Sequence, residues 1–264
     1  MHDAFSPTAP WPLIDTHCHL DATELDGIRD LAVAEAHAAG VSRIVVPAVL
    51  AAGFAATLAM RERYGCLIGF GLHPIYVAEH QDGHLAELER WIVEHRPEAV
   101  GEIGLDFYLP GLDEKRQEGL LLEQLRLARR YDLPVLLHVR RSQDRVLKYL
   151  RQAKVERGIA HAFNGSEEQA RAYIRQGMLL GFGGAMTFHG SKRIRQLAAT
   201  LPLSSLVLET DAPDIRPQWA QGYPNRPANV AAFARVLAEL RDEPLADIAR
   251  HTTANAQALF GING

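Results

Sequence analysis

Short apolar runs alternate with longer amphipathic stretches along most of the chain, and this rhythm constrains the fold more than any other feature of the sequence. The predicted strands are Leu13–Thr16, Arg43–Val46, Leu67–Phe70, Ala99–Gly101, Pro134–Leu137, Gly158–Ala160, Leu179–Phe182 and Leu206–Leu208. Helical spacing marks Gly27–Ala39 and Glu114–Tyr131, and two closing helices are read at Asn229–Glu239 and Leu245–Phe260. Such alternation predicts a parallel sheet covered by helices. The runs VVPAV, PVLLH and LVLET are apolar throughout, as strands buried on both faces require. Eight repeats within 264 residues favour an α/β fold of the (β/α)8 TIM-barrel type as a single domain, since such barrels use about 250 residues. Residues 1–12 are read as an N-terminal extension and 13–262 as the barrel domain.

Composition narrows the function. With 47% hydrophobic and 23% charged residues the chain has the balance of a globular protein with a full core. A formal net charge of −4 argues against a protein that coats nucleic acid without selectivity, while leaving room for a local basic patch. The opening MHDAFSPTAPWP lacks the basic start and apolar run of a secretory signal. No stretch approaches the roughly 18 apolar residues of a membrane span. Two cysteines, Cys18 and Cys66, cannot build a disulfide framework. A cytoplasmic protein with reduced thiols, no membrane association and no obligate protein partner is expected.

In a barrel of this kind the active site lies where the strands finish. The predicted strand ends read DTHCH, GLHP, GEIGLD, LLHVRR, AHAFNG and ETDAP. Five of the twelve histidines fall there: His17, His19, His73, His138 and His161, with Glu102, Asp106, Glu209 and Asp211 beside them. His37, His84 and His95 instead scatter among the predicted helices. His17 and His19 are two apart, so an extended chain puts both on one face, roughly 6.6 Å apart along the strand. Cys18 between them points the other way, into the core. Glu102 is read at the end of strand four between Gly101 and Gly104, which permit close backbone approach. A carboxylate can bridge two cations, which a neutral imidazole cannot. Asp211 follows Glu209 at the same-face spacing, and paired carboxylates push their pKa values apart. Asp211 is therefore read as a ligand and candidate general base, with Asp211 and Glu102 as the catalytic pair. The chemistry is metal-assisted hydrolysis, in which a divalent cation lowers the pKa of its water. Mixed imidazole and carboxylate donors suit Zn, Mn, Fe or Co, and an oxygen-richer position tolerates Mg.

The pattern as a whole closely resembles the TatD family of metal-dependent deoxyribonucleases, within the amidohydrolase-like TIM barrels. The resemblance rests on DTHCHL (15–20), GLHP (71–74), GEIGLDFY (101–108), LPVLLHVR (133–140), HAFNGS (161–166) and ETDAP (209–213), in the family's order and spacing. It implies two divalent metal ions per subunit. By that resemblance His17, His19 and Asp211 hold one ion, His138 and His161 the other, and Glu102 bridges them, while His73 faces the substrate phosphate. Two departures stand out. HAFNG replaces the usual HCFSG, and the late loop reads PNRPAN, with Arg226 where many members carry an acidic residue. In this it is similar to a branch of TatD-like hydrolases having NRP.

The expected substrate is DNA or a small phosphate ester, cleaved in the manner of a 3′-end exonuclease. Arg140 and Arg226 sit in pocket-forming segments and are the expected substrate-binding cations, since an arginine holds phosphate oxygens through paired hydrogen bonds. Arg141, Lys192 and Arg193 are equally well read as surface charges. Tyr108, Phe163, Trp219 and Tyr223 are read either as stacking platforms for bases or as pocket walls. An alternative keeps the same centre for a carboxyl ester or amide, as other amidohydrolases do; many of those bridge with a carboxylated lysine where this chain has Glu102. A third reading, a metal-stabilised binding protein without turnover, requires a fully ligated ion.

Overall fold

A computed structural model describes residues 11–262; most of the expected N-terminal extension, residues 1–10, lies outside the described residues. Among the described residues, eight parallel strands follow one another in the sheet in sequence order. They are β1 (Leu13–Asp15), β2 (Val41–Pro47), β3 (Leu67–Phe70), β4 (Ala99–Asp106), β5 (Val135–Arg140), β6 (Gly158–Ala160), β7 (Met178–Phe182) and β8 (Leu206–Leu208). The helices between them are α1 (Arg29–Ala38), α2 (Phe54–Tyr64), α3 (His84–His95), α4 (Glu114–Arg130), α5 (Gln143–Ala153), α6 (Glu167–Arg175) and α7 (Lys192–Thr200). After β8 come α8 (Val230–Arg241) and α9 (Leu245–Phe260). The TIM barrel read from the sequence is the observed fold. No described helix is long and apolar enough to cross a membrane.

Two apolar layers hold it together. The larger core lies between the strands and the surrounding helices, with Phe54, Phe70, Tyr173 and Phe233 fully buried. The smaller one takes Ile14, Val45, Leu67, Ala99, Leu136, Ile159, Leu179 and Val207, one residue from every strand, so it fills the barrel interior. Ala256, Leu259 and Phe260 of α9 pack on this layer. Full burial of one such side chain contributes about 1.5–3 kcal/mol. The helix starts are set locally: the Asp113 carboxylate accepts from the Arg116 amide at the head of α4, and Ser166 with Gln169 forms a reciprocal capping box on α6. Both cysteines are buried and unpaired, and burial pushes the Cys66 thiol up to about 12.

The seam between β1 and β8 is closed by a few strong contacts past the strand ends. Thr16 N donates to Leu208 O at 3.0 Å, His19 N to Ala212 O at 2.7 Å and Asp211 N to His17 O at 2.7 Å. The buried Asp15 carboxylate reinforces them, accepting from the Thr210 amide at 2.9 Å and the Thr210 hydroxyl at 2.5 Å.

Strand β4 corrects one expectation. Glu102 does not end it but lies inside an eight-residue strand that runs on to Asp106. Pairing with β5 continues as Ile103↔Leu137, Gly104↔His138 and Asp106↔Arg140 after an irregularity between Val100 and Ile103. The glycines make this approach feasible: a Cβ on Gly104 would lie 1.9 Å from His138 O, and one on Gly101 2.5 Å from Leu136 Cβ.

Candidate metal centre

The carboxyl-terminal rim of the barrel brings the five histidines around one side chain. Glu102 Oε1 lies 3.0 Å from His73 Nε2, 3.1 Å from His138 Nδ1 and 3.0 Å from His161 Nε2. Its Oε2 lies 3.2 Å from His17 Nε2 and 3.3 Å from His19 Nε2. Asp211 Oδ1 is 3.5 Å from the Nε2 atoms of both His17 and His19. Every one of these groups is buried or nearly so. Asp211 and Ala162, just past β8 and β6, hold left-handed backbone at φ 55° and 44°, a conformation that costs free energy for residues other than glycine.

The donor set calls for cations. A carboxylate has about four lone-pair positions, yet five ring nitrogens approach Glu102. His161 Nε2 also sits 3.5 Å from His138 Nδ1, and the His17 and His161 rings stack at 4.0 Å between centroids. His17 Nδ1, His161 Nδ1 and Glu209 Oε2 are buried with no partner. Buried polar atoms without partners are costly, and convergent lone pairs are stabilised when a positive ion stands between them. Among the described residues, three groups have ligand atoms mutually within 4.8 Å: His17 with His19 and Glu102, His17 with His161 and Asp211, and His73 with Glu102 and His138. Divalent cations fit such a constellation of nitrogen and oxygen donors.

His73 differs from the other four in its proton. Its Nδ1 accepts the Ile75 amide at 3.2 Å, so the ring proton sits on Nε2, the atom facing Glu102. Proximity groups His73 with the ligands, but Nε2 then has no lone pair for a cation and acts as a hydrogen-bond donor into the site.

Burial pushes His17 down to about 3 and His73 to about 4, so both are neutral near pH 7. At His19 and His161 burial also opposes charge, but the Glu102 carboxylate, with Asp211 behind it, outweighs it and raises them to about 9 and about 10. Burial pushes Glu209 up to about 7 and also raises Asp211. The centre therefore attracts positive charge, from protons or from metal.

The site opens into a cavity of about 830 Å³ whose walls include Leu50, Ile75, Tyr76, Leu109, Ile194 and Ile215. Arg140 is the one lysine or arginine among its described lining residues, whereas Asp21, Glu24 and Asp214 are carboxylates outside the central cluster. The Arg140 guanidinium lies 3.8 Å over the Tyr108 ring and 3.9 Å from Asp106 Oδ2. Arg226 does not reach the cavity: it donates to both oxygens of Glu35 on α1 at 2.9 and 2.6 Å. The late loop is thereby tied to a helix, and Arg226, expected to bind substrate, is placed away from the cavity lining. Arg141, Lys192 and Arg193 are exposed. Phe163 is core, while Trp219 and Tyr223 are exposed and outside the cavity lining.

The structure also supplies partners that the sequence does not show. Glu209 Oε1 accepts the Ala162 amide at 2.5 Å and lies 3.8 Å from His161 Nδ1. His80, buried, donates from Nε2 to His73 O at 2.8 Å. Asp15 had no assigned part, although it opens DTHCH. Their signal is spatial, since each partner is set by strand register or loop path.

The family described as TatD related DNase matches residues 14–261. The chain is 43% identical over 254 residues to the uncharacterized metal-dependent hydrolase YjjV of Escherichia coli strain K12, covering 94% of this chain and 98% of that one. It is 35% identical over 257 residues to an uncharacterized metal-dependent hydrolase of Haemophilus influenzae, covering 93% and 98%. The crystal structure of the E. coli YjjV TatD homolog superposes with a TM-score of 0.91 at 42% identity, over 95% of this chain and 98% of that one.

Proposed function

The chain belongs to the TatD family of metal-dependent hydrolases, and from that premise we propose that it is a two-cation phosphodiesterase acting on a DNA end or a small phosphate ester. One observation carries the reading: five imidazoles and Asp211, from five parts of the chain, gather around Glu102 in the lining of an open cavity. His17, His19 and Asp211 would hold one ion, His138 and His161 the other, and Glu102 both. When bound, such ions make water nucleophilic near neutral pH and polarise phosphoryl oxygens. Asp211, its Oδ1 3.5 Å from the Nε2 atoms of His17 and His19, is placed to accept the proton of the attacking water. His73 donates its Nε2 proton to a phosphoryl oxygen, and Arg140, steadied on Tyr108, pairs with a non-bridging oxygen.

The cavity wall favours the smaller substrate. A polynucleotide is gripped by several cations, one per phosphate neutralised, whereas this cavity offers Arg140 beside three outer carboxylates. Metal-loaded protein should therefore hydrolyse a chromogenic bis-aryl phosphate with little dependence on salt and release nucleotides from single-stranded DNA more weakly. Both activities should vanish in His138→Ala and Glu102→Ala. Cleavage of carboxyl esters or amides with phosphodiesters left intact would reassign the centre.

A further inference from the structure

We infer that Asp106 is a positioning residue that fixes the tautomer of His138, directing its Nδ1 lone pair at the second cation. This rests on the two-cation reading of the centre. Asp106 is 1% exposed and ends β4 directly opposite Arg140. Its Oδ1 accepts the amides of Tyr108 at 2.9 Å and Leu109 at 3.0 Å, so that oxygen is committed to the loop. Its Oδ2 faces His138 Nε2 at 2.9 Å. A carboxylate only accepts, so Asp106 holds a proton on Nε2, and Nδ1, 3.1 Å from Glu102 Oε1, is the nitrogen left to exchange its proton for a cation. The backbone of Asp106 is itself clamped: its amide donates to Gln117 Oε1 at 2.8 Å, and Gln117 Nε2 donates to its carbonyl at 3.2 Å. Carboxylates of this kind orient ligating imidazoles and raise their basicity.

Asp106→Asn separates this role from support of the loop. The two loop amides require an acceptor at the Oδ1 position, so the asparagine oxygen goes there and its NH2 turns to His138. Nε2 must then accept, and the one remaining ring proton stays on Nδ1, where it blocks the ligand. In the cation-free full chain, ¹⁵N shifts of the His138 ring should report protons on both nitrogens in the parent and on Nδ1 alone in the variant. Titration with Zn²⁺ or Mn²⁺ should show weaker binding at one site, on the order of 10- to 100-fold, with the melting temperature of the cation-free protein unchanged. Asp106→Ala, which strips the loop amides of their acceptor, should lower that melting temperature. A parent His138 without a proton at Nε2, a variant with unaltered ring protonation or affinity, or an Asp106→Asn protein that melts as low as Asp106→Ala would overturn the assignment. None of these readouts involves turnover, so loss of the phosphodiesterase reading leaves them intact.

Discussion

Protons and metal compete for the same atoms. In the cation-free protein His19 and His161 hold protons at pH 7, because burial is outweighed by Glu102 and Asp211. Cation binding must expel them, so affinity should climb as pH rises from 6 towards 9 and binding should release protons. Calorimetry in two buffers of different ionisation enthalpy reads that release, and a value of zero would contradict the arrangement. The cation-free fold has the converse linkage. Raised histidine values stabilise it fully below the unfolded value of 6.5, and that contribution fades as pH rises through about 9. The two candidate arginines also separate at this scale. Arg140→Ala should cost about 1.5–3 kcal/mol in transition-state binding, roughly a 10- to 150-fold fall in kcat/KM. Arg226→Ala should leave kcat/KM unchanged and lower stability by about 0.2–1 kcal/mol, as a half-exposed pair with Glu35 implies.

At the scale of the elements, β4 carries the site because its glycines let it sit close to its neighbours. Gly104→Ala would drive a methyl into His138 O, and Gly181→Ala would place one 2.0 Å from Glu209 Oε2. Each should cost about 1–3 kcal/mol or more as overpacking, measurable by denaturant unfolding. The bounds of β1, β2 and β7 agree within two residues, β3, β6 and β8 have the expected bounds, and β5 runs three residues beyond its expected end at Leu137. Strand β4 was read short because Gly101, Glu102 and Gly104 break the apolar pattern that marks a buried strand, although backbone pairing to β5 continues through them. The histidines were legible because they stand where apolar runs stop. Asp106 was visible at a strand end but had no role there, since its partner depends on the register with His138. The pairing of Arg226 was hidden for a similar reason: Glu35 lies 191 residues away, and nothing local points to it.

For the whole molecule, the centre draws together side chains from both ends of the chain. A cation held by such groups binds the folded state alone, so saturation at about 100 times Kd should add about 2.7 kcal/mol of stability. For a chain of this size that is roughly 5–10 °C in melting temperature, and a chelator should reverse it. The β1–β8 seam, where Asp15 grips Thr210 and His17 O accepts from Asp211 N, has a temporal consequence. The first imidazoles leave the ribosome about two hundred residues before the aspartate that completes their set. A nascent or proteolytically clipped chain lacking that last strand holds an incomplete ligand set, so hydrolytic competence arrives only with near-complete synthesis and needs no separate inhibitor to delay it.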